Sequence, residues 1–213
     1  IGTTTGYVAT GSTAGTKTST ALIETPQSLS VVTQKELRDR NVQTLKDAVN
    51  YTPGVTTTAF GYDPRFDSFY IRGFDATYTG IYRDGLRQGG GNFAIPKIEP
   101  YGLDSVSILR GPASGLYGLG SPGGIVDVTT KRPTLTPFGE VQLQAGNYDR
   151  YQGSFDLGGP VPGSDQLYYR LTGLLRDAKT WYPGNDDDRT YIAPAVTWRP
   201  DADTSFTILS EYQ

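Results

Sequence analysis

From Phe138 to Tyr212 apolar and polar residues change places at every second position, and that period commits this part of the chain to β-strands with one face of each kind. In 140–145, Val141, Leu143 and Ala145 oppose Glu140, Gln142 and Gln144; in 151–157, Tyr151, Phe155 and Leu157 oppose Gln152, Ser154 and Asp156. Tyr169, Leu171 and Leu175 oppose Arg170, Thr172 and Arg176, and 191–199 and 205–212 continue the pattern, which gives about five strands. Turn residues at 158–166 and 200–203 alternate with a longer polar connection at 178–189. A soluble sandwich and a membrane barrel both alternate in this way, so the period fixes the strands and leaves the two architectures open.

A different grammar precedes it. Residues 104–109 alternate, with Val106 and Ile108 on one face and Ser105, Ser107 and Leu109 on the other, and 124–129 form a second strand pattern with Ile125 and Val126 at its start. Between them Gly111-Pro112 offers a helix start, and five glycines from Gly115 to Gly124 let backbone approach backbone. Gly118-Leu119-Gly120-Ser121-Pro122-Gly123 has the spacing of a dinucleotide fingerprint. That fingerprint must follow a strand and open a helix, whereas here it leads into a strand, so the match is accidental.

Further upstream, residues 1–20 are rich in Gly, Thr and Ser with little to bury, and read as a flexible arm. Thr33-Gln34-Lys35-Glu36 is a capping-box pattern that starts a helix at about Gln34, and Thr44 to Asp47 repeats it. Leu45, Ala48 and Val49 then share a helical face, and Pro53-Gly54 stops the helix. Ser68 to Arg72 reads as a strand, and Asp84-Gly85 joins Ile81–Arg83 to Leu86–Gln88 as a hairpin. The mixture is an α+β domain ending near Pro133.

Composition removes several function classes. A net charge of −3 argues against nucleic acid as a partner, because phosphate binding wants a clustered basic face. With no Cys and no His the chain lacks disulfides, thiol chemistry, thiolate metal sites and the commonest general base. It also lacks a G-x-S-x-G elbow and a phosphate-binding loop, so no catalytic residue is assigned and the chain does not read as an enzyme. Asp186-Asp187-Asp188 lacks the spacing of a calcium loop and reads as a solvated loop tip, so no metal site is assigned. No apolar run reaches the length of a membrane helix, which leaves β-strands as the only route into a bilayer. Without a Met or a signal peptide, the chain reads as a fragment or processed form.

Several motifs carry a resemblance. Ile108-Leu109-Arg110-Gly111-Pro112, Leu116-Tyr117-Gly118 and Pro122-Gly123-Gly124-Ile125-Val126 closely resemble the end of the plug domain of TonB-dependent outer-membrane receptors. The segments 26–33, 47–55 and Tyr70-Ile71-Arg72-Gly73-Phe74 are similar to earlier motifs of that domain, in the order and spacing of the ferric-siderophore branch. The resemblance implies an arm at 1–20, a plug at 21–133 and, at 138–213, the first antiparallel strands of a large transmembrane β-barrel in the outer membrane of a Gram-negative bacterium. It also implies binding of a ferric siderophore outside, TonB and its inner-membrane complex as partners through a segment near the N-terminus, and outer-membrane lipid around the barrel. No cofactor is implied, since iron arrives as a chelate.

By position relative to these motifs, the loops at 59–66, 75–79 and 88–94 resemble the family's ligand-contacting apices. They offer Phe60, Tyr62, Phe66, Tyr78 and Phe93 as rings to bury chelate surface, with Gln88 and Asn92 as hydrogen-bond partners. Only Arg65 and the marginal Arg87 add positive charge there, which favours a neutral hydroxamate chelate over an anionic catecholate. Hydroxamate receptors place an arginine where Phe60 stands. Arg72 and Arg110 look like the plug arginines that pair with barrel carboxylates. Receptors for cobalamin or a glycan, and a soluble β-rich binding module, are the alternatives.

Overall fold

The computed structural model describes residues 6–18, 20–59, 61, 67–89 and 97–213, and the chain divides into two compact units, Ile1–Thr130 and Lys131–Gln213. In the first unit β1 (Gly11–Ser12) pairs with β2 (Thr20–Ala21), then β3 (Ser28–Thr33), α1 (Gln34–Asp39) and α2 (Leu45–Val49) follow. Three short strands, β4 (Val55–Thr56), β5 (Tyr70–Ile71) and β6 (Phe74–Asp75), form a small sheet of their own. After them come β7 (Ile81–Arg83), β8 (Leu86–Arg87), β9 (Leu103–Arg110), α3 (Ser114–Tyr117) and β10 (Gly124–Thr130).

The main sheet has the order β3-β9-β10-β7-β8, with β10 antiparallel to β9 and parallel to β7. Its central pair is covered on both faces. Val106, Ile108, Val126 and Val128 pack with Leu45, Ala48 and Val49 of α2 in one cluster, while Leu109 and Ile125 pack with Tyr82 and Tyr117 in another. Burying each of the Val, Leu and Ile side chains among them contributes roughly 1.5–3 kcal/mol. The helices start where expected: Thr33 Oγ1 accepts Glu36 N–H at 3.3 Å, and Thr44 and Asp47 cap each other reciprocally. The Thr33 cap lacks that reciprocity, because the Glu36 carboxylate takes Arg40 at 2.9 Å instead.

Three expectations for the first unit change. The strand expected at 68–72 shrinks to Tyr70–Ile71, because Arg72 and Gly73 both take left-handed conformations, φ 52° and 82°, and turn the chain straight into β6. The helix after Gly111-Pro112 opens later, at Ser114. The segment expected as a flexible arm is docked over much of its described length: Gly11 and Ser12 pair with Ala21 and Thr20, and Ala14 is buried. Its small residues bring little apolar surface, but the Tyr117 ring and hydroxyl, contributed from far along the chain, cover and bond its backbone.

The second unit is one antiparallel sheet in chain order: β11 (Phe138–Gly146), β12 (Arg150–Pro160), β13 (Leu167–Asp177), β14 (Arg189–Trp198) and β15 (Phe206–Leu209). The first four are 9, 11, 11 and 10 residues long, the length of a tilted membrane-spanning strand. β15 stops short of the expected 205–212 because its partner Pro194 has no N–H to give; Ser210 bonds the Pro194 carbonyl with both N–H and Oγ, and pairing resumes only at Ile192–Tyr212. The two faces are inverted relative to a soluble sheet. Gln152, Ser154, Asp156, Arg170, Thr172 and Arg176 are buried, whereas Val141, Leu143, Leu175, Ile192, Val196 and Ile208 are exposed. An apolar phase that recurs in every strand and is exposed or half-exposed opposite a buried polar phase belongs to a sheet that faces lipid, which decides against the soluble sandwich. Among the described residues no helix is long and apolar enough to cross a membrane.

Candidate functional site

The small sheet positions the residues singled out in the plug. Val55 pairs with Ile71 and Thr56 with Tyr70, which in turn faces Asp75, while the buried Phe69, Ile71 and Ala76 root the sheet in the core. The Arg72-Gly73 turn forms one end. At the other, Thr77 Oγ1 accepts Phe69 N–H at 3.3 Å and Asp75 Oδ1 accepts Thr77 N–H at 2.8 Å, which fixes the turn carrying Tyr78. That turn closes with Gly80 N–H on the Ala76 carbonyl and leads into β7, where Gln88 N–H bonds the Ile81 carbonyl at 2.9 Å. Tyr78 and Gln88 therefore flank the start of one hairpin, both half-buried. Phe60, Tyr62, Phe66, Asn92 and Phe93 lie outside the described residues.

Tyr70 joins this group although no sequence pattern singled it out. Burial, then the neighbouring charge of Asp75, then Tyr78 push its phenol above the ordinary value, so it stays a neutral donor beside Tyr78. Its only sequence signal is its place in the outward phase of a short strand next to Ile71.

Arg72 and Arg110 come together from separate motifs. Both aliphatic stems lie against Gly54, where an added Cβ would sit 3.8 Å from Arg72 Cγ and 3.9 Å from Arg110 Cδ. Arg110 is tied within the plug, donating from Nε to Ser28 Oγ at 3.0 Å and from Nη1 to the Pro53 carbonyl at 3.1 Å. Arg72 is exposed at the turn tip and held by its backbone, N–H to the Gly54 carbonyl at 2.8 Å. Two guanidinium groups thus share one edge of the plug around the Pro53-Gly54 and Arg110-Gly111 motifs.

The docked arm makes a second polar site that sequence reasoning missed. Tyr117 Oη donates to the Ala14 carbonyl at 2.9 Å, Lys17 Nζ lies 3.6 Å from the centre of the Tyr117 ring, and the same ammonium donates to the Gly85 carbonyl at 2.6 Å. Ser12 and Ser107 share a 3.0 Å hydroxyl contact. Beneath lies Asp127, whose Oδ1 accepts Gly85 N–H at 3.0 Å; burial pushes its carboxyl up to about 6, against the pull of that bond. Burial, followed by the Asp127 charge, likewise raises the Tyr117 phenol.

In the second unit the acidic run expected as a solvated tip is partly used as counter-charge. Asp187 takes Arg150 at 3.2 Å and Arg176 at 3.4 Å, and Asp188 Oδ1 accepts Ala178 N–H at 3.1 Å. Trp181 and Tyr182 stand exposed in the same connection with ring centres 5.3 Å apart.

Comparison with known proteins agrees with this geometry. Residues 21–125 match the TonB-dependent receptor plug domain. The ferrichrome outer membrane transporter and phage receptor of Escherichia coli K12 is 42% identical over 201 residues, which are 93% of this chain and 27% of that protein. The ferrioxamine receptor of Yersinia enterocolitica is 39% identical over 99% of the chain and 30% of its own length. The solved pyoverdine outer membrane receptor of Pseudomonas aeruginosa PAO1, bound to pyoverdine, superposes with a TM-score of 0.85 at 26% identity, over 96% of this chain and 30% of that one. The chain spans under a third of the length of these relatives. A plug unit of this topology, followed by strands with an exposed apolar face, makes the chain a member of the TonB-dependent receptor family, with residues 21–125 as its plug domain.

Proposed function

We propose that this chain is the plug and leading barrel strands of an outer-membrane receptor of a Gram-negative bacterium that binds a ferric siderophore from outside and imports it with energy from the TonB complex. The observation that carries the reading is a plug unit followed along the chain by a sheet whose polar phase is buried and whose apolar phase is exposed. Names of the relatives, a ferrichrome transporter and a ferrioxamine receptor, support a siderophore over cobalamin or a glycan.

The chelate already satisfies the iron, so the plug has only to recognise a wrapped, partly apolar surface. Tyr78 and Gln88, at the start of one hairpin, and the half-buried Tyr70 supply rings and hydrogen-bonding groups, and in the sequence Phe60, Tyr62, Phe66, Asn92 and Phe93 fall in the loops that resemble the family's ligand-contacting apices. Neutral groups of this kind suit a hydroxamate chelate. Ligand binding at these loops then makes the N-terminal arm available to TonB, whose pull rearranges the plug. The test is growth: the full-length gene is returned to an iron-starved receptor-null strain and siderophores are supplied singly. Growth on a ferric hydroxamate is expected; growth restored by none of them, or binding of cobalamin or a glycan alone, overturns the reading.

A further inference from the structure

Residues 131–137 lead into β11, and they are fastened to the two strands that follow it. Lys131 Nζ donates to Asp156 Oδ2 at 2.8 Å. Arg170 grips the same carboxylate with two nitrogens, Nε on Oδ1 at 2.9 Å and Nη2 on Oδ2 at 2.8 Å, and Thr172 Oγ1 adds a 3.2 Å bond. The side chains of Lys131, Asp156 and Arg170 are only 7%, 4% and 7% exposed. Arg170 also reaches the Arg132 carbonyl from Nη1 at 3.0 Å, and its guanidinium lies 4.9 Å from the centre of the Phe138 ring. Pro137 rests directly on Gly159, whose φ of 146° and missing Cβ allow it: a Cβ there would sit 2.7 Å from Pro137 Cα.

Strand pairing does not need the lysine. The bidentate Arg170–Asp156 pair already joins β12 to β13, and such a pair is complete by itself. What Lys131 adds is attachment of the connector, with Glu140 supplying a second negative charge nearby. On the other side of this point Thr130 is held by two hydrogen bonds to Asp84, at 3.1 and 2.7 Å, and β10 pairs with β7 over only three residues, Val126–Val128. Those contacts exchange with water as they break. Drawing Lys131 out strands a buried charge with no solvent to replace its partner, a far steeper step.

We propose that Lys131, Asp156 and Arg170 are positioning residues of transport: they fasten the connector so that a pull on the plug stops at residue 131 and is not passed to the strands beyond. The inference rests on the reading of the chain as a TonB-pulled plug receptor. It explains how a plug can be rearranged by force while the strands after it keep their register.

The experiment is force spectroscopy on the full-length receptor in a lipid bilayer, pulled from its N-terminus, with heat-modifiable gel mobility reporting that the barrel is folded. In the unaltered receptor the released length should end at residue 131. In Lys131→Met, which leaves Arg170 on Asp156 and on the Arg132 carbonyl and the barrel folded, the force at the final stop should fall and the stop should move outward, by at most about 25 Å, the reach of the seven residues to Phe138. Asp156→Asn should show the same shift; if it does not fold, Lys131→Met alone decides. An unchanged stop, in both length and force, in Lys131→Met overturns the proposal. Pulling needs neither TonB nor siderophore, so failed growth with a stop at residue 131 rejects the transport reading and leaves the clamp, and normal growth with no stop does the reverse.

Discussion

The hydroxyl of Tyr117 donates to the carbonyl of Ala14 across 103 positions of sequence, and with Lys17 stacked on the same ring it pins the N-terminal arm to the plug. Tyr117→Phe keeps the ring and removes the bond, leaving a buried carbonyl unpaired at a cost of about 1 kcal/mol. Trypsin should then cut after Lys17 several-fold faster, with little change in overall melting. An equal cutting rate in the two proteins would mean that the arm is not held there.

Asp127 makes plug stability depend on pH. Its folded-state value of about 6 lies above the ordinary 3.8, so between about pH 4 and 6 the folded plug holds a proton that the unfolded chain has released. The contribution is fully present below about pH 4 and is lost as pH rises through 6, a difference of roughly 3 kcal/mol. Asp127→Asn keeps an acceptor for Gly85 N–H and cannot ionise. Urea unfolding of the plug should show the variant gaining on the wild type as pH rises across this window; parallel curves would refute the assignment.

Gly123 stands where backbone meets backbone, since a Cβ there would collide with the Ile71 carbonyl oxygen. Gly123→Ala should displace the hairpin that carries Arg72 and destabilise the plug by about 1–3 kcal/mol. Gly115→Ala is the control, because its added methyl meets nothing within 4 Å and it sits in α3. A melting temperature lowered equally by both changes would show that the close approach is unimportant.

Ligand contact is tested in the full-length receptor. Phe60→Ala, Tyr78→Ala and Phe93→Ala should each weaken a ferric hydroxamate by about 1 to 3 kcal/mol if they are buried anchors, and Tyr70→Ala should behave like Tyr78→Ala. Full affinity in all four, or a clear preference for a catecholate, rejects the assignment.

The two plug arginines should separate. Arg110→Ala loses bonds to Ser28 and Pro53 and loosens the plug itself, whereas Arg72, exposed at its turn, is the arginine proposed to pair with a barrel carboxylate. Arg72→Ala should therefore leave isolated-plug melting unchanged and weaken docking in the whole receptor by roughly 3 kcal/mol. Hydrogen exchange of the plug inside the receptor reads the difference, and unchanged protection there would count against the pairing.

Strand positions in the second unit were legible because a period of two is a property of the backbone itself; β11 to β14 lie where alternation puts them. The early end of β15 was not, since it depends on Pro194 in the neighbouring strand. Capped helices and the Asp84-Gly85 hairpin were legible from local chemistry. The Arg72 turn was hidden because arginine rarely takes a positive φ, and nothing nearby in sequence announces one. Arm order was hidden for the opposite reason: the covering ring is remote. Of the candidate site, Tyr78 and Gln88 do flank one hairpin, Tyr70 went unnoticed in a two-residue strand, and the buried carboxylates Asp127 and Asp156 looked like ordinary polar positions in alternating segments.

The small and the main sheet of the plug differ sharply in how much chain holds them. β4, β5 and β6 are two residues each, while β9 and β10 run for eight and seven and carry both apolar clusters. Local opening free energy follows such differences, so the outer residues of the small sheet, away from the rooted Phe69, Ile71 and Ala76, open before the central hairpin does. Local opening and denaturation are then separate events in this molecule: the Arg72 turn can open and close again on an intact template, without the plug ever having to refold from scratch.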